Sequence, residues 1–154
     1  MHRFDSTDNE KWFNKFKRHR PILLTLIYND YVRYETGELV KNRICKNHKH
    51  YLSALHNLTY KKSKKKIPRY VVIERGGKTK GLHSHIVIET PEHLSTSQYK
   101  NLCMNSKNKT KDVVEVHIEN CYYKKGLDGY CSKNISYKSK NAEVDVENCH
   151  LQSH

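Results

Sequence analysis

Proline and glycine are scarce in this chain, with three and six among 154 residues, which excludes a collagen-like repeat and a Pro/Gly-rich low-complexity tract. Carboxylates are few: 16 Asp and Glu stand against 29 Lys and Arg, leaving a formal charge of +13. No apolar run approaches the roughly 18–20 residues that cross a bilayer, so no membrane partner is expected. The opening MHRFDSTDNEKWF lacks the apolar stretch of a signal peptide. The five cysteines (Cys45, Cys103, Cys121, Cys131 and Cys149) are odd in number, scattered and free of any C-x-x-C pair. They read as reduced thiols in a cytoplasmic or nuclear compartment, not as a disulfide framework or a zinc ribbon. No Walker A motif occurs: Gly77-Lys78-Thr79 resembles its end, but Val72 stands where the earlier glycine belongs. An ATP-driven motor is therefore not expected in this chain.

What is present is positive charge over a modest apolar content. A strongly basic domain usually meets a polyanion, and nucleic acid is the commonest. Charge that serves only solubility, or an anionic membrane surface, would be the blander accounts. The length suits one domain, and 36% apolar residues with 11 Tyr can form a modest core.

The order of elements follows from periodicity. Residues 1–20, with Trp12, Phe13 and Phe16 on one helix face, suggest a helical arm, and residues 21–154 form the main domain. PILLTLIY at 21–28 is a short apolar run that predicts a buried strand. Residues 38–58 space Leu39, Val40, Ile44, Tyr51, Leu52, Leu55 and Leu58 as a helix. A lysine run, KKSKKK at 61–66, follows. RYVVIER at 69–75 and LHSHIVIET at 82–90 predict a hairpin around GGKTKG. Residues after Pro91 predict a helix capped within Ser95 to Ser97, with Tyr99, Leu102, Cys103 and Met104 as its apolar face. DVVEVHIENC at 112–121 predicts a strand with Val114, Val116 and Ile118 on one face. A last helix is expected near Tyr130, and a short strand at 143–146. A β-α-β-β-α-β series of this kind predicts an α+β, ferredoxin-like split sandwich: a central antiparallel sheet, helices on one face, and the active site on the open face.

Three side chains carry the clearest chemistry. His83 and His85, two apart on a strand, share a face. The hairpin folds Glu74 back beside them. Two imidazoles and a carboxylate with open positions suit one divalent ion, Mn²⁺ or Mg²⁺, acting on a phosphate. Two ordinary surface histidines would be the alternative. Tyr130 and Lys133, at i and i+3, share a helix face, where an ammonium would help a phenol act as a nucleophile. With 11 Tyr and many Lys, chance pairs of that spacing also occur. Cys45, His48, His50 and His56 could be drawn as a zinc site, but His50 leaves the helix face that Cys45 and His48 share. His93 and His117 read as packing or surface histidines. Lys61, Lys62, Lys64, Lys65, Lys66, Arg69, Lys78, Lys80 and Lys138 are candidates to meet nucleic-acid phosphates.

Taken in order, these segments resemble the HUH endonucleases in their single-tyrosine Rep form, the rolling-circle replication initiators of plasmids and of circoviruses and geminiviruses. LLTLIYND at 23–30 resembles the family's first motif, a hydrophobic strand with a central Thr. GLHSHIVIE at 81–89 resembles the second, and YCSK at 130–133 the third. The resemblance covers roughly Pro21 to Tyr137. It implies metal held by Glu74, His83 and His85, attack on phosphorus by Tyr130, and Lys133 neutralising charge near the phosphate. It implies a 5′-phosphotyrosine intermediate with a free 3′-OH, single-stranded DNA or a hairpin origin as substrate, and a host polymerase and helicase as partners. A monomer or weak dimer is implied. Ser84 departs from the family, where the residue between the histidines is usually apolar, and looser packing under the metal site is expected there. Two-tyrosine relatives carry a second Tyr four residues away, but Gly126 and Asn134 occupy those positions.

Two other functions compete. A single-tyrosine HUH transposase would use the same chemistry, usually with a further metal ligand from the late helix. A non-catalytic RNA- or single-stranded-DNA-binding domain would stack bases on sheet aromatics. On this hairpin Tyr70 is the only aromatic.

Overall fold

A computed structural model describes residues 20–61, 66–76, 81–120 and 142–150. The strands are β1 (Pro21–Tyr28), β2 (Arg69–Arg75), β3 (Leu82–Glu89), β4 (Val113–Asn120) and β5 (Ala142–Val144). The helices are α1 (Asp30–Arg33), α2 (Glu38–Tyr60) and α3 (Thr96–Ser106), with 3-10 turns at Lys107–Lys109 and Val146–Asn148. The arm expected over residues 1–20 and the helix expected near Tyr130 fall outside the described residues, Arg20 excepted.

The five strands form one antiparallel sheet in the order β4-β1-β3-β2-β5. Its first four strands reproduce the split β-α-β arrangement, and β5 extends the β2 edge. The fold is thus the α+β sandwich that the order of apolar segments predicts. Among the described residues no helix is long and apolar enough to cross a membrane.

The core lies between one sheet face and the helices. Ile22, Leu24, Leu26 and Tyr28 of β1, Val71 and Ile73 of β2, and Ile86 and Ile88 of β3 meet Val40, Ile44, Tyr51 and Leu55 of α2 and Tyr99 and Cys103 of α3. The α2 residues recur every three or four positions, so the 23-residue helix turns one stripe inward. Leu39 and Leu58, which the spacing also recruited, lie off that stripe and are exposed. Ser95 caps α3 in a full capping box with Gln98, satisfying two otherwise orphaned N–H groups. Met104 points outward from α3. The Tyr51 hydroxyl donates to the Cys103 carbonyl at 2.7 Å and ties the two helices together.

One strand departs from simple alternation. The β1–β4 register runs Ile27↔Glu115 and then Tyr28↔Val113, so an extra residue is accommodated in β4. This bulge turns Val113 into the core and Val114 out to solvent, correcting the face expected from the sequence. Val116 keeps its inward place.

Candidate metal centre

Strand register decides which side chains meet on the second face of the sheet. Glu74 stands opposite His83 in the β2–β3 pairing, and Thr25 stands opposite His85 in the β1–β3 pairing. Alternation then puts Thr25, Glu74, His83 and His85 on one side and Ser84 on the helix side. This face is well packed around them: Leu23, Tyr70, Val72 and Val87 are all buried. Glu74, His83 and His85 keep partial exposure, with side chains 20%, 12% and 11% accessible.

The two imidazoles turn the same edge toward the carboxylate. Glu74 Oε2 lies 3.3 Å from His85 Nε2 and 3.9 Å from His83 Nε2. The rings are edge-on to one another, with centroids 4.9 Å apart. The opposite ring nitrogens are engaged. His83 Nδ1 lies 3.2 Å from the Gly81 carbonyl, which can only accept, so Nδ1 carries a proton and the neutral ring has its lone pair on Nε2. His85 Nδ1 is 3.0 Å from Thr25 Oγ1. Glu74 Oε2 is buried and accepts no hydrogen bond. His83 Nε2 and His85 Nε2 thus face an orphaned carboxylate oxygen, and a cation among the three atoms would give that oxygen a partner. The three donor atoms lie within 4.8 Å of one another, and the group could hold a metal ion. Outer partners on the far nitrogens are what orient ligating histidines.

A second set of donors lies beneath β3, on the helix side. Cys45, His48 and Asp145 also converge within 4.8 Å. His48 Nδ1 is 2.7 Å from Asp145 Oδ2, and His48 Nε2 is 2.6 Å from Ser84 Oγ. Tyr28 Oη lies 2.6 Å from Ser84 Oγ. The protons fit one assignment: Tyr28 donates to Ser84, Ser84 donates to His48 Nε2, and His48 Nδ1–H donates to Asp145. Tyr28, Ser84 and both ring nitrogens of His48 are then hydrogen-bonded without an ion. Burial raises the Asp145 carboxyl, but hydrogen bonds from His48, Asn148 and Cys45 outweigh it and hold the group below its usual range. Burial, with Asp145 beside it, pushes the Cys45 thiol up to about 12, so it stays a thiol. His50 and His56, drawn with Cys45 and His48 in the sequence, are not part of this cluster.

Ser84 is fully buried and joined to two partners, which corrects the expectation of loose packing under the histidines. Thr25, Gly81, Ser84 and Asp145 are the site-supporting residues that sequence reasoning did not assign. A hydroxyl in the middle of an apolar strand, as at Thr25, was the one available signal. His93 Nε2 lies 2.9 Å from the Thr59 carbonyl, and exposed His117 lies 3.3 Å from Glu115, ordinary packing and surface roles.

The basic candidates divide by face. Lys61 and Lys66 are exposed, whereas Arg69 is partly buried and donates from Nε to the Asn148 carbonyl at 2.8 Å. Burial lowers the Arg69 guanidinium from its usual value. Lys66 and Arg69 line a groove on the helix side of the sheet, away from Glu74, His83 and His85. Tyr130, Lys133, Lys62, Lys64, Lys65, Lys78, Lys80 and Lys138 lie outside the described residues. Of the five cysteines, Cys45, Cys103 and Cys149 are free thiols, and Cys121 and Cys131 lie outside the described residues. No protein-family model matches the chain, and no curated protein matches it.

Proposed function

We propose that this protein is a metal-dependent, sequence-specific nicking and joining enzyme for single-stranded DNA, of the kind that starts and ends rolling-circle replication. The observation that carries the reading is the pair of Nε2 atoms turned toward the orphaned Oε2 of Glu74 on the middle strands of a split β-α-β sheet. Mixed imidazole and carboxylate ligation with open positions suits Mn²⁺ or Mg²⁺. The chemistry such an ion supplies is Lewis-acid polarisation of the scissile phosphate and stabilisation of the leaving 3′ oxygen.

The chain's own residues do the rest. Thr25 and the Gly81 carbonyl hold the two rings with Nε2 forward. The Tyr130 hydroxyl attacks phosphorus, forming a tyrosine O–P bond as the P–O3′ bond breaks. The proton lost by tyrosine is balanced by the one gained at the 3′ oxygen. Lys133, three residues along the chain, offsets phosphate charge. Attack by a 3′-OH reverses each change and joins ends, so no external energy source is needed.

A transposase reading is less favoured because, among the described residues, Glu74, His83 and His85 already make a three-donor set on the sheet. A base-stacking RNA-binding reading is less favoured because Tyr70 is fully buried. The test is covalent capture: protein, a randomised single-stranded DNA pool and Mn²⁺, with Tyr130→Phe and EDTA controls. An SDS-resistant adduct that needs both metal and Tyr130 is expected. A pool covering all short sites that yields no adduct would sink the proposal.

A further inference from the structure

On the side of the sheet away from Glu74, His83 and His85, α2 and the chain around Lys66 and Asn148 enclose a groove of about 780 Å³. Its cations are Lys46, Lys49, Lys66 and Arg69, against one carboxylate, Glu147. Lys46, Lys49 and Lys66 are exposed, and none forms an ion pair with a carboxylate among the described residues. That contrasts with Lys41 and Arg43 one turn earlier, which are paired with Glu143 and Asp112. We infer that this groove is a second nucleic-acid contact, holding the phosphate backbone of a strand on the helix face.

The lining supports a phosphate partner in particular. Lys46, Lys49 and His56 fall on one stripe of α2 that runs about 15 Å along the helix axis, long enough for several consecutive phosphates. Asn42 and Asn57 add amide donors, a residue type that shares phosphate contacts with Lys. An acidic peptide would meet the same charge but needs a pocket for an apolar anchor. The groove offers Leu52, which is only 5% exposed and already spent in the core. Arg69 shapes the groove more than it reads a ligand, since its guanidinium is held by the Asn148 and Ile67 carbonyls. Contact here does not compete with the metal face, and the inference stands whether or not the nickase reading does.

The test uses a fluorescent thymidine oligonucleotide, the full chain and EDTA throughout, so no nicking contributes. Binding is titrated over a range of salt for wild type, for Lys46→Gln/Lys49→Gln/Lys66→Gln, and for Lys107→Gln/Lys109→Gln/Lys111→Gln as a charge-matched control. Melting temperatures of both variants are compared with wild type, and substitution of these exposed or half-buried lysines should leave them unchanged. Three lost phosphate contacts should flatten the slope of log K against log salt by about 2 in the groove variant only. DNA should also protect Lys46, Lys49 and Lys66 from acetylation. A groove variant with the wild-type slope, or a control that flattens it equally, overturns the inference. So does protection by polyglutamate that DNA fails to match, which would assign the groove to an acidic protein.

Discussion

Ser84, which sits between His83 and His85, is hydrogen-bonded at 2.6 Å to His48 of α2, on the opposite side of the sheet from those histidines. The bond belongs to a buried chain, Tyr28–Ser84–His48–Asp145, that ties the histidine-bearing strand to a helix and to the segment after β5. Replacing Ser84 by Val leaves His48 Nε2 and the Tyr28 hydroxyl buried without partners. Two such losses should lower stability by about 2–4 kcal/mol. Urea unfolding of Ser84→Val checks this, and adding Tyr28→Phe should recover about 1 kcal/mol by removing one orphan. An unchanged midpoint for the single variant would show that the chain contributes nothing beyond packing.

Thr25 reaches the candidate metal centre through His85. Its Oγ1 holds Nδ1 at 3.0 Å, which leaves Nε2 forward to Glu74. Thr25→Val keeps the β-branched shape and loses only the hydrogen bond. Mn²⁺ affinity, read from the free-ion EPR signal, should fall about 10-fold, the low end for an outer partner of a ligating histidine. Thr25→Ser should retain most of the affinity. Equal affinities for all three proteins would show that Thr25 does not orient the ring.

Most of the frame was legible because its punctuation is local. Pro21 and Asn29 bracket β1, Pro68 and Gly76 bracket β2, and both strands have the expected bounds. The hairpin register followed from there, and it brings Glu74 to His83 and His85. What stayed hidden depends on long-range contact. Asp145 meets His48 across 97 residues, and nothing in the local pattern around either residue announces it. The burial of Val113 in place of Val114 needs a bulge that alternation cannot foresee. Ser84 read as a packing defect because its two partners come from β1 and α2.

Gly81 links backbone geometry to the same centre. It adopts φ +60°, and a Cβ there would lie 2.5 Å from the Arg33 carbonyl oxygen and 2.7 Å from Arg33 Cγ. Its own carbonyl accepts from the Gly76 N–H at 2.9 Å and orients His83. Gly81→Ala therefore carries both left-handed strain and a backbone clash, together about 2–4 kcal/mol. Because the carbonyl must shift to relieve the clash, Mn²⁺ affinity should weaken along with stability. Thermal melts and metal titration on the same sample check the pair, and a loss of stability with intact affinity would separate Gly81 from the site.

Asp112 governs acid stability at the β4 end. Arg43 grips it through two hydrogen bonds, at 2.8 and 2.6 Å, and Asn47 adds a third at 2.7 Å. The Arg43 hydrogen bonds, more than burial opposes them, hold the Asp112 carboxyl below its usual range. A carboxyl depressed on folding stabilises above its unfolded value, near 3.9, and loses that contribution as pH falls through its lower folded value. Asp112→Asn should thus cost about 1.5–3 kcal/mol at neutral pH, the range for charged hydrogen bonds. Below about pH 4 the gap between variant and wild type should begin to narrow, because unfolded Asp112 takes up its proton there, and it closes as pH falls through the lower folded value. Urea melts of both proteins from neutral pH down to pH 3 measure that gap, and one that stays constant with pH would mean that the Asp112 charge plays no part in holding β4 to α2.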